Sequence, residues 1–571
     1  NSTHISGLST TQVVLIDATH MGALTALNLR AMSLDQFAAL KTSQIGVLTT
    51  AQVLGLSTAN ILAMGTAQIG AISTADVASL TAINLRVFSN PQISALVTGQ
   101  ALALTTGQLN SMTTGQIGAL TSAQIAVLGA PQTAGLVTSS TAALSASQLT
   151  QLQTSALVAL QSNNMKALRT EQLIGLSTAQ IQVLLGSQLA ALRTDGLRSL
   201  TTQQILVLST GQLRSLQTTQ IPALSTAQLI ALTAGQFAVL ATDSIRALES
   251  SQVAVLSTGD VVALSTAQIQ SFTTAQIAAL KVEQLNSLDP TDVALLSAKQ
   301  IGALTTYHMA GLNTTQLAAL TTAQVAVLST AQAQALTGAS VQSLSADQVG
   351  ALTTAALNAI KIDSLTTENL VLLTTNQLSN LSTSQIRLLS EDQVKELTDA
   401  TQIPALTTAQ VAAIETTDVA ALKTNQVVAL TTDQVSTLNS AQLNKLSTDQ
   451  VQALSTGQVQ ALTSVQLNGL SSDAVQALSS SQLQKLTTGQ LQTLTTEQLN
   501  TLTSDQVQAL TTSQVQALTT VQVRDVATSQ VVNLSSAQVK ALSSTQLTIL
   551  SSVSMQAIET ADLAAITPAN V

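Results

Sequence analysis

The side chains that usually carry chemistry are scarce in this sequence. Three histidines, His4, His20 and His308, could ligate zinc or act as bases. A zinc site draws three or four ligands together, and none of the three has a Glu at helical spacing. There is no cysteine, hence no disulfide, no thiolate nucleophile and no thiolate metal site. Ser and Thr are abundant, but a Ser/His/acid arrangement needs a histidine close at hand. Tyr307 is the sole tyrosine and offers no stacking platform for bases or sugars. Gly99, Gly107, Gly115 and Gly235 recur in Thr-Gly-Gln, and Gly46, Gly70 and Gly118 stand at another fixed place. Neither pattern has the Gly spacing and terminal Lys-Ser/Thr of a phosphate loop. The acids are mostly isolated, so no dense calcium array is expected. No catalytic, cofactor or metal site is therefore expected, and the chain is read as a non-enzyme.

The composition points the same way. Of 571 residues only 8% are charged and 1% aromatic, against roughly 25% charged in an ordinary globular domain. A net charge of −9 supplies no basic stripe for phosphates, which excludes nucleic acid as an expected partner. No apolar run approaches the roughly 18 residues of a membrane span. The chain opens at Asn1 without a basic stretch leading into an apolar one. With repeats running nearly to both ends, it is expected to be a piece of something longer.

What the sequence does contain is a period. From Leu8 an apolar residue stands at every eighth position, through Ile16, Leu24, Met32 and Leu40 to Ile360. The register slips by five residues from Ile360 to Leu365, runs in eights to Leu397, and slips by nine to Leu406. It then continues in eights to Ile566, giving 71 anchor positions. Numbering the anchor 8, the unit reads Ser/Thr, Thr/Ser, variable, Gln, aliphatic, variable, Ala, Leu. Ser225, Gln228, Leu229 and Leu232 exemplify it. Positions 5 and 8 are almost always apolar and are the expected core.

A single long helix cannot use this pattern, because eight residues at 100° each move the apolar stripe by about 80° per unit. A strand cannot either, since positions 5 and 8 differ in parity and face opposite sides of a pleat. One helix start per unit does fit. Ser/Thr at position 1 with Gln at position 4 is a capping box, and the preceding Leu with the position-5 aliphatic forms a hydrophobic staple. Under this reading His20 and His308, at position 4, stand in for the capping Gln.

Charge placement supports a helix polarity. Asp35, Asp195, Glu283 and Asp433 stand at position 3 and Asp76, Asp260, Asp292, Asp418 and Asp562 at position 4, while Arg30, Arg86, Lys166 and Lys540 stand at position 6. Pro290 and Pro568 fall at the first helical position and Pro91 and Pro131 one residue later, where no amide partner is lost. Pro222 and Pro404, near position 6, count against the reading.

Helices this short are unstable alone and must stack. The expected fold is an all-α solenoid with one very short helix per eight-residue repeat, the alternative being a β-solenoid. The expected organisation is one continuous repeat domain: residues 1–360, a register-slip segment at 361–406, and 407–571. The slip segment reads as a tolerated insertion and deletion, with a kink, hinge or inter-chain contact as its functional alternative.

Units such as Leu-Thr-Thr-Ala-Gln-Val-Ala-Val-Leu at 320–328 resemble the tandem low-complexity repeats of very large, adhesin-like bacterial secreted surface proteins. The resemblance implies an extracellular or cell-surface setting. The expected function is a self-assembling structural protein of a filament, sheath or surface layer, associating through its uncharged Ser/Thr/Gln-rich flanks. Its expected partners are other copies of itself and cell-surface glycans. The alternatives are the stalk or ligand-binding region of an adhesin and an ice-binding surface formed by rows of Thr on a flat β-type array.

Overall fold

The structure is a computed structural model and describes residues 1–564 and 566. Among the described residues there are 69 α-helices of four to six residues and two 3-10 helices, and no strand. The chain is thus an all-α solenoid of very short helices, one per repeat, and the β-solenoid alternative is overturned. Parity is the reason: only a helical turn brings positions 5 and 8 to one face.

The unit Ser225–Leu232 shows how each helix is made. The Ser225 hydroxyl accepts from the Gln228 amide at 3.2 Å, and the Gln228 side-chain oxygen accepts from the Ser225 amide at 2.8 Å. The Leu229 amide closes the first turn on the Ser225 carbonyl at 3.0 Å, and the Leu232 amide tightens the last turn onto the Leu229 carbonyl at 3.1 Å. The chain then leaves through two extended residues: Leu232 has φ −69° and ψ 143°, and the next cap, Thr233, has φ −80° and ψ 158°. No described residue has positive φ. These helices therefore end without the left-handed glycine that closes many others, which is why the repeat needs no invariant Gly.

Two neighbour relations define the stack. Each helix lies against the helix three units on, as Ala146–Gln151 does against Thr170–Gly175. Side-chain hydrogen bonds also tie most units to the unit four earlier, as Gln148 is tied to Ile117 and Leu120. A turn of the solenoid therefore holds between three and four units. Leu229 is fully buried and Leu232 is 5% exposed. Burying such side chains stabilises each unit by about 1.5–3 kcal/mol apiece, and the summed nearest-neighbour terms hold helices that could not stand alone.

The chain divides into two compact units, residues 1–292 and 293–571. In the first, Pro222 removes the position-6 amide and the unit becomes the 3-10 helix Ile221–Ala223. Pro91 and Pro131 are second residues of the helices Asn90–Ser94 and Ala130–Ala134, where no bond is lost. Thr133 and Thr141, the polar residues at position 5, are fully buried. The Thr133 hydroxyl donates to the Ala156 carbonyl at 2.7 Å. Pro290 opens the helix Pro290–Ala294; Pro568 lies outside the described residues.

Both register slips fall in the second unit and are absorbed in the same way. The five-residue unit Lys361–Leu365 lacks positions 2 to 4 and folds as the 3-10 helix Ile362–Ser364. Ile362 and Leu365 are buried at the position-5 and position-8 places. The nine-residue unit Thr398–Leu406 carries its extra residue before position 4. The Thr398 amide donates to Gln402 Oε1 at 3.0 Å, and the Gln402 amide to the Thr398 hydroxyl at 3.2 Å, across four residues instead of three. Pro404 is held inside the helix Gln402–Ala405.

Candidate functional site

The side chain that organises this molecule is the Gln at position 4. It is buried from Gln36 onward: Gln228 is 2% exposed, and Gln100 and Gln172 are fully buried. Its oxygen belongs to its own unit, where it accepts the cap amide. Its nitrogen belongs to another. Gln228 Nε2 donates to the Leu197 carbonyl at 3.1 Å and the Leu200 carbonyl at 2.7 Å, at positions 5 and 8 of the unit four earlier.

The same pair of bonds recurs along both compact units. Gln44 reaches Val13 and Ile16 at 2.9 and 2.7 Å, and Gln458 reaches Val427 and Leu430 at 2.9 and 2.7 Å. The result is a buried ladder of amide groups joining successive turns. The position-8 carbonyl stands past the end of its helix and has no helical partner; the ladder supplies one. Each such bond contributes about 0.5–1.5 kcal/mol net, and a buried carbonyl left without a donor costs about 1–3 kcal/mol.

Sequence reasoning misses this double duty, because it assigns the core to positions 5 and 8 alone and reads Gln only as a cap. A signal for it is present. A capping box accepts Glu as readily as Gln, yet no Glu stands at position 4 in any unit. A carboxylate could take the cap hydroxyl but has no proton for the two carbonyls of the preceding turn. Asn can donate in the same way at shorter reach: Asn164 and Asn369 donate to the Leu136 and Leu344 carbonyls at 2.8 and 2.7 Å.

A second set of bridges lies outside the ladder, made by Asn at position 6. Asn444 Nδ2 donates to the Gly469 carbonyl at 2.9 Å, and Asn444 Oδ1 accepts the Ser471 amide at 2.7 Å. That cap amide has no Gln to serve it, because its unit carries Ala474 at position 4. Asn110 does the same for the Val137 amide at 2.9 Å, whose unit carries Ser140. Asn358 and Asn500 take the Ser382 and Ala527 amides, each at 2.7 Å, although Gln385 and Gln530 are present. The competition leaves Gln385 Oε1 and Gln530 Oε1 buried without a partner.

The residues with chemical potential are not brought together. His4 and His20 are exposed. His20 Nδ1 lies 2.7 Å from Asp17, and backbone and side-chain bonds from His20 hold the Asp17 carboxyl below its usual range. His308 is buried, and its Nδ1 accepts the Thr305 amide at 3.1 Å in the place of a capping Gln. Tyr307 is exposed beside it. No group of three or more His, Cys, Asp or Glu able to hold a metal ion occurs among the described residues, and no described helix is long and apolar enough to cross a membrane.

Comparison with known proteins agrees with the tandem organisation. The family model described as the ALTTAQ repeat matches residues 102–138, 206–242, 253–290, 411–448, 435–464 and 483–520. No curated protein matches the sequence. The solved structure titled as that of APUM23-GGAAUUGACGG is similar at 12% identity over 93% of this chain and 92% of that chain. Its TM-score of 0.11 is too low to carry an argument. The chain is a tandem-repeat protein built as a helical solenoid.

Proposed function

We propose that this chain is an extracellular structural protein that self-assembles into a filament, sheath or surface layer. The observation that carries the reading is the division of labour within the unit. Positions 4, 5 and 8 are consumed by the interior, so positions 1, 2, 3, 6 and 7 form the surface, and these are mostly Ser, Thr, Ala, Gln and Gly. Such flanks carry little mutual repulsion. Because each unit presents the same positions, a weak side-on contact made once is available again at neighbouring units, and repetition turns it into avidity. Scattered apolar groups on the same flanks, among them Ile83, Leu102, Ile230, Val262 and Val465, add contact area. The ice-binding alternative loses the flat β array it was built on.

Electron microscopy and analytical ultracentrifugation of the purified chain test the proposal. Regular filaments or sheets, with sedimentation rising steeply with concentration, support it. A monomer that persists at high concentration removes it and favours the adhesin stalk, for which binding to cell-surface glycans is the corresponding assay.

A further inference from the structure

Five position-4 side chains are acids, and four of them are held by hydroxyl donors. Asp76 receives the Thr50 hydroxyl at 2.7 Å, from position 2 of the unit three earlier, and the Ser73 hydroxyl from its own cap. Asp292 receives Thr266 at 2.7 Å, and Asp562 receives Ser536. Asp260 receives the Ser257 hydroxyl at 2.7 Å and the Ser257 amide at 2.8 Å. Each of these carboxyls thus has a hydroxyl proton to accept.

Asp418 has neither donor. The position-2 residue three units earlier is Glu391, and its cap is Glu415, which makes no side-chain cap bond. Asp418 is nonetheless only 6% exposed. It occupies the slot from which Gln410 and Gln426, in the adjoining units, reach the Leu381 and Leu397 carbonyls, both at 2.8 Å. The carbonyl that Asp418 faces by this register is that of Leu389. Asn164 and Asn369, which share the Asp skeleton, donate to the equivalent carbonyls.

We propose that Asp418 is a proton-dependent rung of the ladder: neutral, its O–H donates to the Leu389 carbonyl and staples the two turns, and ionised, it opens that rung. Acceptor faces acceptor in the ionised form, and the rung closes only when a proton is supplied. Burial, then Glu415, then Glu391 push the Asp418 carboxyl above the usual carboxylate range.

The other charged groups in the packed units leave this arrangement intact. On 390–397, Lys395 lies 3.7 Å from Glu391 and 3.9 Å from Asp392, and Glu396 pairs with Lys423 at 3.3 Å. Arg387 on the unit below, Lys445 on 439–446 and Asp449 on 447–454 complete the set, and no cation forms an ion pair with Asp418 among the described residues. Since the folded-state value is raised, the rung's contribution is fully present below the unfolded carboxylate value and is lost as pH rises through the folded value.

Hydrogen–deuterium exchange on the full chain and its Asp418→Asn variant tests this, with rates corrected for intrinsic pH dependence. Asn supplies the donor at every pH. At pH 7 the variant is expected to protect the amides of 382–389 and 415–422 about tenfold better than the native chain, the effect of roughly one buried hydrogen bond to an otherwise unsatisfied group. Below the carboxylate range the two are expected to coincide. Equal protection at pH 7, or a difference that persists unchanged in acid, overturns the proposal. The carboxyl carbon of Asp418, assigned by its loss in Asp418→Asn, gives an independent reading. Its titration midpoint is expected above that of exposed aspartates and to fall in Glu391→Gln; an ordinary midpoint in the native chain overturns the proposal as well.

Discussion

Two stretches of the ladder differ in sequence arithmetic while keeping the same partners. From Gln44 to Gln148 the donor and its position-8 acceptor stand 28 residues apart. Across the segment 361–406 and just beyond it, the separation is 25 at Asn369, 28 at Gln393 and 29 at Gln402, Gln410 and Gln426, and it returns to 28 at Gln434. In every case the acceptor belongs to the unit four earlier. The stack counts helices, and residues can be lost or gained ahead of position 5 so long as the aliphatic-x-x-Leu block survives, as Ile362-Asp363-Ser364-Leu365 does. The accommodation has a limit: Gln377 and Gln385 swing toward the Gly350 and Asn358 carbonyls, at 3.0 and 2.5 Å, and stand at 3.5 and 3.2 Å from position 8. The slip segment nonetheless carries full rungs at Gln393 and Gln402.

Interrupting the block itself is expected to break this pattern most severely. One Ala inserted between Ile230 and Ala231 displaces Leu232 from the core and is expected to cost about 3 kcal/mol or more, as large-to-small core changes do. The same insertion between Thr226 and Ala227 mimics the nine-residue unit and is expected to cost about 1 kcal/mol, the worth of a weakened cap. Guanidinium unfolding, with hydrogen exchange to localise the loss, separates the two; equal costs would mean that residues are counted after all.

Gln228→Glu keeps the cap acceptor and removes the donor. It is expected to destabilise the local turns by about 2–3 kcal/mol at neutral pH, because the Leu197 and Leu200 carbonyls then face a buried charge. Hydrogen exchange at 193–200 and 225–232 reads this, and acidification is expected to restore part of the loss.

The position-6 bridges offer a sharper pair. Asn444→Ala strands the Ser471 amide in a unit whose position 4 is Ala474, and is expected to cost about 1–2 kcal/mol. Asn500→Ala leaves the Ala527 amide free to return to Gln530 Oε1, which now lacks a partner, and is expected to cost less than about 0.5 kcal/mol. Exchange rates of the Ser471 and Ala527 amides distinguish them. A small effect is likewise expected for Ser225→Ala, about 1 kcal/mol or less for one cap among many, measured by the same exchange at 225–232.

Much of this is legible in the sequence because it is local. The capping box joins residues three apart, the staple joins residues five apart, and the parity of positions 5 and 8 excludes a pleat; each can be argued from one octad and its neighbour. Pro222 shows how far local reasoning reaches. It removes a bond, as its place in the octad implies, and the unit answers by tightening to a 3-10 turn while Gln220 still donates to the Leu189 and Leu192 carbonyls at 3.0 and 2.8 Å. What cannot be read locally is the second task of Gln, because its partners lie four units away and nothing within an octad says how many octads make a turn.

The sequence by itself determined that each eight residues make one capped helix with an apolar face at positions 5 and 8, since propensity, capping and periodicity act within a few residues. Only the tertiary structure decided that position 4 is interior, that its amide spans two turns, and that a missing three residues or an extra one leaves the stack in register. Those outcomes depend on the pitch of the superhelix, which emerges from side-chain packing between units and is encoded in no single one of them.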